Sequence, residues 1–78
     1  MGKLRVNNHI RRLRFECNEM SQQQLADHVG VTRQTIITIE KGNYSPSLEL
    51  AFRIAQVFQL PIEQVFYIEK TNDEEEKG

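Results

Sequence analysis

The chain contains few of the residues on which redox or metal chemistry depends. It has one cysteine, no tryptophan and two histidines in 78 residues. A single cysteine excludes an internal disulfide and a multi-thiolate zinc site. No apolar run approaches the roughly 20 residues of a membrane-spanning helix, and the N-terminus lacks the apolar segment of a secretory signal. These absences predict one small cytoplasmic domain that has no membrane partner.

A net charge of -1 conceals two segments of opposite sign. Residues 1–68 hold eight Lys+Arg and six Asp+Glu, a net of +2, whereas residues 69–78 hold two and five, a net of -3. Residues 71–78 have no apolar side chain to offset the entropy of ordering. We therefore predict a domain over 1–68 and a disordered acidic tail over 69–78. The tail either only improves solubility or mimics phosphate and competes with a phosphate-bearing ligand for the basic face of the domain.

Capping and turn residues divide the first half of the chain into three helices. An amphipathic pattern predicts the first helix over residues 8–17. The second is predicted over 21–30, because Ser21 and Gln24 have the spacing of a capping box and a glycine follows the last apolar residue. A threonine cap and a Lys-Gly stop signal predict the third helix over 32–41.

The second half continues the helical pattern. Pro46 predicts a loop over 43–46, after which Ser47 begins a fourth helix with a predicted Glu49–Arg53 ion pair. Its apolar stripe is predicted to consist of Leu48, Ala51, Phe52, Ala55 and Phe58. A fifth, short helix is predicted over 61–66. Residues 3–6 and 66–68 can pair as a two-stranded ribbon, which gives an all-α fold of five helices with a small β addition.

The spacing within residues 21–41 predicts a helix-turn-helix. A small residue, Ala26, lets the two helices approach closely, Gly30 permits the turn, and Ile36 and Ile39 fill the space between the helices. Once this inner face is fixed, rotation about the third helix determines its outer face. That face consists of Arg33, Gln34 and Thr38, flanked by Thr35 and Lys41. Arginine and glutamine can bridge the edges of guanine and adenine, and a threonine methyl can contact the thymine methyl.

The order of these motifs resembles one family closely. The run Ser21-Gln22-Gln23-Gln24-Leu25-Ala26, the run from Gly30 to Ile36, Ile39-Glu40-Lys41-Gly42 and Pro46-Ser47-Leu48-Glu49-Leu50-Ala51 are similar to the Cro/CI-type, or xenobiotic-response-element, transcriptional regulators. The resemblance covers residues 8 to about 66. It is closest to small stand-alone members such as the cytolysin-repressor type. The fold implied is the five-helix, lambda-repressor-like domain.

The resemblance also implies functional roles. It makes Thr32, Arg33, Gln34 and Thr38 the base-reading set, and it makes Gln22, Thr35, Lys41, Asn43 and Tyr44 the set that contacts phosphates or positions the helix. Gln22 would in addition brace the recognition helix, and Arg14 would pair with Glu40, unless that pair is only an exposed ion pair worth under about 1 kcal/mol. Ile37 departs from the family pattern, so it either packs partly inward or offers an apolar contact to the groove.

Other candidate sites have simpler interpretations. His9 and His28 have no partners at a metal-ligand spacing, so we predict surface histidines, no metal and no cofactor. Cys17 is predicted to be a small buried hydrophobic residue, with redox sensing as the alternative. No catalytic triad, phosphate loop or carboxylate pair is evident, so neither an enzyme nor a small-molecule ligand is expected.

An apolar cluster near the C-terminus is the candidate dimer interface. It consists of Leu60, Ile62, Val65, Phe66 and Ile68, with Phe58 beside them, and the alternative is that it belongs to the core of one subunit. The sequence therefore predicts a homodimeric regulator, most simply a repressor, that binds double-stranded DNA at a palindromic operator. Two alternatives stay open: an antitoxin of a toxin–antitoxin pair, and a protein-interaction module that has kept the fold.

Overall fold

The computed structural model describes residues 4–70 as four helices closed at one side by a two-stranded ribbon. The elements follow the order β1 (Leu4–Asn8), α1 (Ile10–Glu16), α2 (Gln22–Val29), α3 (Arg33–Glu40), α4 (Leu48–Phe58), a 3₁₀ turn (Ile62–Gln64) and β2 (Phe66–Lys70). None of the helices in this part of the chain is long and apolar enough to cross a membrane. The predicted helical fold with a small ribbon is confirmed, with the fifth helix reduced to one 3₁₀ turn.

The ribbon joins the two ends of the domain. β1 and β2 are antiparallel, with Val6 opposite Ile68 and Asn8 opposite Phe66. Because side chains alternate along a strand, these four lie on one face, and the half-buried Val6 and the buried Phe66 pack against the helices. That packing supplies what an isolated pair of short strands lacks. The strands are longer than predicted, so the first helix begins at Ile10 rather than Asn8.

Residues with predicted capping roles adopt them. Ser21 and Gln24 form both hydrogen bonds of the capping box, with the Gln24 N–H donating to Ser21 Oγ at 2.9 Å and the Ser21 N–H donating to Gln24 Oε1 at 2.8 Å. Gly30 ends α2 at φ 79°, a conformation that a Cβ atom disfavours. The hydroxyls of Thr32 and Ser47 cap α3 and α4 in the same manner as Ser21. Local sequence therefore determines where these three helices begin.

One hydrophobic core connects all of the helices. It contains Ile10, Leu13, Leu25, Ala26, Val29, Ile36, Ile39, Ala51, Ile54, Ala55, Val65 and Phe66. The inner faces predicted for α2 and α3 are confirmed, since the apolar residues assigned to them are all buried. The core thus fixes the rotation of α3 about its own axis.

The buried face of α4 differs from the prediction. Leu48 is 69% exposed and Phe52 is 50% exposed, whereas Ile54 is fully buried. The helix sequence is apolar on two overlapping stripes, and the stripe of Ala51, Ile54 and Ala55 is the one that packs inward. Small residues on that stripe let α4 approach α2 closely. The prediction for Leu48 and Phe52 was therefore wrong.

The structure also differs from the predictions for Cys17 and for the C-terminal boundary of the domain. Cys17 is exposed, not buried, because it lies beyond the last turn of α1, where its N–H donates to the Arg14 carbonyl at 3.0 Å. β2 continues to Lys70, so residues 69 and 70 extend the ribbon beyond the predicted boundary at 68, and the Asn7 amide donates to Glu69 Oε1 at 2.7 Å. The prediction for the tail over 71–78 lies outside the described residues.

Candidate nucleic-acid interface

The turn between α2 and α3 sets the angle of the helix-turn-helix. The N–H groups of Gly30 and Val31 both donate to the Ala26 carbonyl, at 2.8 and 3.0 Å. Ala26 itself is fully buried. A larger side chain at this position would push α3 away from α2, so the three residues together hold α3 at a fixed inclination.

The outer face of α3 carries the side chains that sequence predicts for base reading. Arg33 and Gln34 are exposed, and Thr38 is half-buried one turn beyond Gln34. Thr38 Oγ1 donates to the Gln34 carbonyl at 2.9 Å and lies 3.3 Å from Gln34 Nε2, which donates to it. The Thr38 hydroxyl thus forms its hydrogen bonds within the helix, and one of them links it to the Gln34 amide.

The first turn of α3 is closed by two threonines. Thr32 Oγ1 accepts from the Thr35 N–H at 3.3 Å and lies 3.0 Å from Thr35 Oγ1. Thr32 is exposed and Thr35 is half-buried. These two residues line a shallow concavity with Gln34, Thr38 and Tyr44, so the tyrosine lies at the edge of the same face.

A largely buried ion pair braces α3 against the two preceding helices. Arg14 Nε and Nη2 donate to the two carboxylate oxygens of Glu40 at 2.6 and 3.1 Å, and Arg14 Nη1 donates to the Met20 carbonyl at 2.8 Å. Gln22 Nε2 donates to Glu40 Oε1 at 3.2 Å. The Arg14 and Glu40 side chains are 14% and 9% exposed, so the alternative of an exposed ion pair is wrong.

Ile37 lies on the solvent side of α3, half-buried. It lines a shallow groove together with Arg11, Gln22, Gln23, Arg33 and Lys41. Ile37 therefore lies beside cationic and amide side chains at the junction of α2 and α3, and it does not belong to the core cluster.

The loop after α3 carries the remaining predicted phosphate contacts. Lys41 ends the helix and is exposed, as are Asn43 and Tyr44. Gly42 adopts φ 78°, and the N–H of Asn43 donates to the Thr38 carbonyl at 3.2 Å. This bond closes the end of α3 through the left-handed glycine, and Tyr44 in the loop lies beside Gln34 and Thr38 of the outer face.

Sequence reasoning missed two residues that hold the C-terminal end of α3. Asn8 Nδ2 donates to the Ile39 carbonyl at 2.9 Å while its Oδ1 accepts from the Ile10 N–H at 3.1 Å. Arg5 Nη2 donates to the Gly42 carbonyl at 3.3 Å. Both contacts join positions more than 30 residues apart, so no local pattern could have revealed them.

The predicted dimer residues have three different environments. Val65 and Phe66 are buried within the subunit, as in the core alternative. Leu60 and Ile62 are half-buried against the core. Ile68 is 58% exposed and lines an apolar groove with Leu48, Val6, Pro46 and Ile62, among others.

Comparisons with known proteins give a consistent assignment. The helix-turn-helix family model matches residues 17–65. A protein of Archaeoglobus fulgidus named as an uncharacterized HTH-type transcriptional regulator is 46% identical over 71 residues, which cover 91% of this chain and 93% of the relative. YgzD of Bacillus subtilis, named in the same way, is 45% identical, with 86% of this chain and 100% of the relative covered.

More distant similarities agree with these. The cryptic phage CTXphi transcriptional repressor RstR of Vibrio cholerae is 35% identical over 85% of this chain, which matches 59% of the repressor. A crystal structure from Bacteroides fragilis, described as a candidate DNA-binding protein, shares the fold with a TM-score of 0.68 at 19% identity, covering 80% of this chain and 98% of that one. The chain therefore belongs to the helix-turn-helix family of Cro/CI type, whose members here are named as transcriptional regulators.

Proposed function

We propose that this protein is a cytoplasmic, sequence-specific DNA-binding repressor that reads a palindromic operator as a homodimer, with α3 in the major groove. The observation that carries the proposal is the rotation of α3. Ile36 and Ile39 are buried, which directs Arg33 and Gln34 outward on the opposite side. The naming of one relative as a phage transcriptional repressor supports repression over activation.

The outward side chains match the chemistry of base edges. A guanidinium donates two hydrogen bonds to guanine O6 and N7, and an amide exchanges two with adenine N6 and N7. Arg33 is exposed and forms no ion pair within residues 4–70, so it is available for guanine. Gln34 is held over Thr38, whose methyl group can meet a thymine methyl in the same groove.

Phosphate contacts would come from two places beside α3, namely the loop that follows it and the start of α2. Lys41, Asn43 and Tyr44 follow its C-terminal end and are exposed. Gln22 at the start of α2 uses one N–H on Glu40, and an amide nitrogen has a second N–H for a phosphate. In the proposed complex these contacts supply affinity without sequence preference, while α3 supplies discrimination.

The homodimer is proposed to form through an exposed apolar surface. This dimer surface consists of Leu48 and Phe52 on α4, Ile68 on β2 and the groove beside Leu48 and Ile68. At roughly 200 Å² for a large side chain, the exposed parts of these three side chains amount to about 350 Å². A standard interface buries about 800 Å² per partner, and a little over half of that area is apolar. These side chains therefore supply most of the apolar area that one partner contributes to such an interface.

A second copy of the chain is the occupant that this surface favours. A two-fold interface places the same patch on both sides of the axis, so charges near the axis would repel their own copies. Nine of the ten residues that line the groove beside Leu48 and Ile68 are uncharged, and Glu63 is the exception. A two-fold axis would also relate two copies of α3, which predicts half-sites about 34 Å apart.

Selection of bound sequences from random duplex DNA tests the DNA-binding part of the proposal. We expect a palindrome whose half-sites are about one helical turn apart. Arg33→Ala and Gln34→Ala are expected to cost about 1–3 kcal/mol each and to relax preference at one base pair per half-site. Lys41→Ala is expected to weaken cognate and scrambled duplexes alike. Unchanged ratios of cognate to scrambled binding in Arg33→Ala and Gln34→Ala would refute the assigned reading face.

Failure of the wild-type protein to enrich any sequence would instead favour the interaction-module alternative.

Sedimentation equilibrium tests the dimer. We expect Ile68→Ser and Leu48→Ser to shift the protein towards monomer. Phe15→Ser is the matched control, because Phe15 is 67% exposed on α1, outside the dimer surface, and we expect it to leave the dimer intact. A wild-type monomer at micromolar concentration, or equal dissociation of all three variants, would rule out this surface.

A further inference from the structure

The ribbon places an arginine against the loop that follows α3. Alternation along β1 directs Arg5 and Asn7 to the face opposite Val6, away from the core. Arg5 Nη2 donates to the Gly42 carbonyl at 3.3 Å. A Cβ added to Gly42 would lie 3.3 Å from Arg5 Nη2 and 3.7 Å from Arg5 Nε, so the guanidinium group packs directly on this glycine. Arg5 therefore contacts the loop at Gly42, between Lys41 and Asn43.

The positive charge of Arg5 is available to an outside anion. The residue is exposed and forms no ion pair within residues 4–70. Its cross-strand partner Glu69 accepts a 2.7 Å hydrogen bond from Asn7 Nδ2. A guanidinium has five N–H donors, and Arg5 uses one on Gly42. Its planar donor geometry matches the oxygens of a phosphate.

A second contact fixes the ribbon relative to α3. Asn8 Nδ2 donates to the Ile39 carbonyl at 2.9 Å, in the last turn of the helix. Together with the bond from Arg5 to Gly42, this contact holds β1 at two points along the end of α3 and its loop. The Arg5 guanidinium is thus held in a defined position relative to the outer face of α3.

We propose that Arg5 binds a DNA phosphate and that the phosphate-contacting surface extends from the α3–α4 loop onto the ribbon. This inference rests on the proposed DNA-binding function and adds to it a residue from a strand outside the helix-turn-helix. Arg5 lies beside the loop that follows α3 and not on the base-reading face of α3. It therefore contributes affinity that does not depend on base sequence.

The salt dependence of DNA binding tests the proposal. Each phosphate contact adds about 0.9 to the slope of log K against log salt. Arg5→Gln is therefore expected to lower the magnitude of this slope by about 0.9 for each subunit. Between 50 and 200 mM salt, the affinity of the wild type should fall about three- to fourfold more, per subunit, than that of the variant. Arg5→Lys retains the charge and is expected to keep most of the slope.

Arg53→Gln is the matched control. Arg53 is an exposed arginine on α4, paired with Glu49 at 2.7 Å, and the Arg53→Gln variant is expected to keep the wild-type slope. Thermal unfolding of every variant confirms that the fold is intact.

Two outcomes overturn the proposal for Arg5. An unchanged slope in Arg5→Gln, with wild-type protein that does bind the selected duplex, refutes the phosphate contact and leaves the proposed function standing. A loss of affinity confined to the cognate duplex, again with an unchanged slope, would assign Arg5 to positioning the loop and would also refute the contact. If the wild type binds no duplex, both the proposed function and this inference fail.

Discussion

Replacement of Glu40 by alanine is the perturbation that most directly tests how α3 is held. Glu40 accepts two hydrogen bonds from the Arg14 guanidinium and one from the Gln22 amide. In the Glu40→Ala variant the Arg14 guanidinium, whose side chain is 14% exposed in the wild type, keeps only the Met20 carbonyl as a partner. The cost is therefore dominated by an uncompensated, mostly buried charge and not by the loss of packing.

The magnitude follows from the burial of the pair. Removing one partner of a buried ion pair costs about 3–5 kcal/mol. Residual exposure of Arg14 and its bond to Met20 reduce this figure, so we expect about 2–4 kcal/mol. A 78-residue domain has a total stability of about 4–12 kcal/mol, so the variant should fold but be severely weakened. Its melting temperature should fall by roughly 10–25 °C.

Urea unfolding followed by circular dichroism, at one fixed protein concentration, measures this loss. Glu16→Ala is the matched control, because Glu16 forms an exposed i,i+4 pair with Arg12 at 3.7 Å. We expect that control to cost less than 0.5 kcal/mol. The double variant Arg14→Met/Glu40→Leu replaces the pair by apolar groups and should regain most of the stability. If Glu40→Ala costs no more than Glu16→Ala, the pair does not brace α3 and the reasoning is wrong.

Three further predictions concern the fold and are checked by thermal unfolding at fixed concentration. Ile54→Ala should cost about 2–5 kcal/mol, because Ile54 is fully buried, and Phe52→Ala should cost clearly less when both are made in the Ile68→Ser background, which is expected to be monomeric. The reverse order would show that the face of α4 predicted from sequence is the buried one. Gly30→Ala should cost about 1 kcal/mol through the backbone alone, since the nearest atom to an added Cβ is 3.6 Å away, and a cost above about 3 kcal/mol would indicate a clash instead. Ser21→Ala should cost about 1 kcal/mol because it breaks the capping box, and an unchanged melting temperature would show that the cap is dispensable.

Features that depend on local chemistry were predicted well. The beginning of α2, its glycine end and the cap of α3 follow from side chains that act within four residues. The inner residues Ile36 and Ile39 follow from spacing, and their burial leaves Arg33 and Gln34 outside. The base-reading and phosphate-binding roles assigned to particular residues stay predictions, as do the homodimer and the operator.

Features that depend on competition between faces were not predicted. Both stripes of α4 have helical spacing, and only packing against α2 selected Ile54 over Phe52. Cys17 continues the stripe of α1 by spacing, but the helix ends at Glu16 and the side chain leaves the core. A periodic pattern shows that a face exists, and it cannot show where the helix stops or which face its neighbour covers.

The amino-acid order alone determined the helix-turn-helix, because caps, turn glycines and apolar spacing act over a few residues. The folded chain decided that Arg14, Gln22 and Glu40 form one hydrogen-bonded network, and that Arg5 and Asn8 reach the far end of α3. These contacts join residues separated by 18 to 37 positions. Such pairs meet only when the core has packed, since the distance between them is set by the arrangement of helices and not by the local path of the chain.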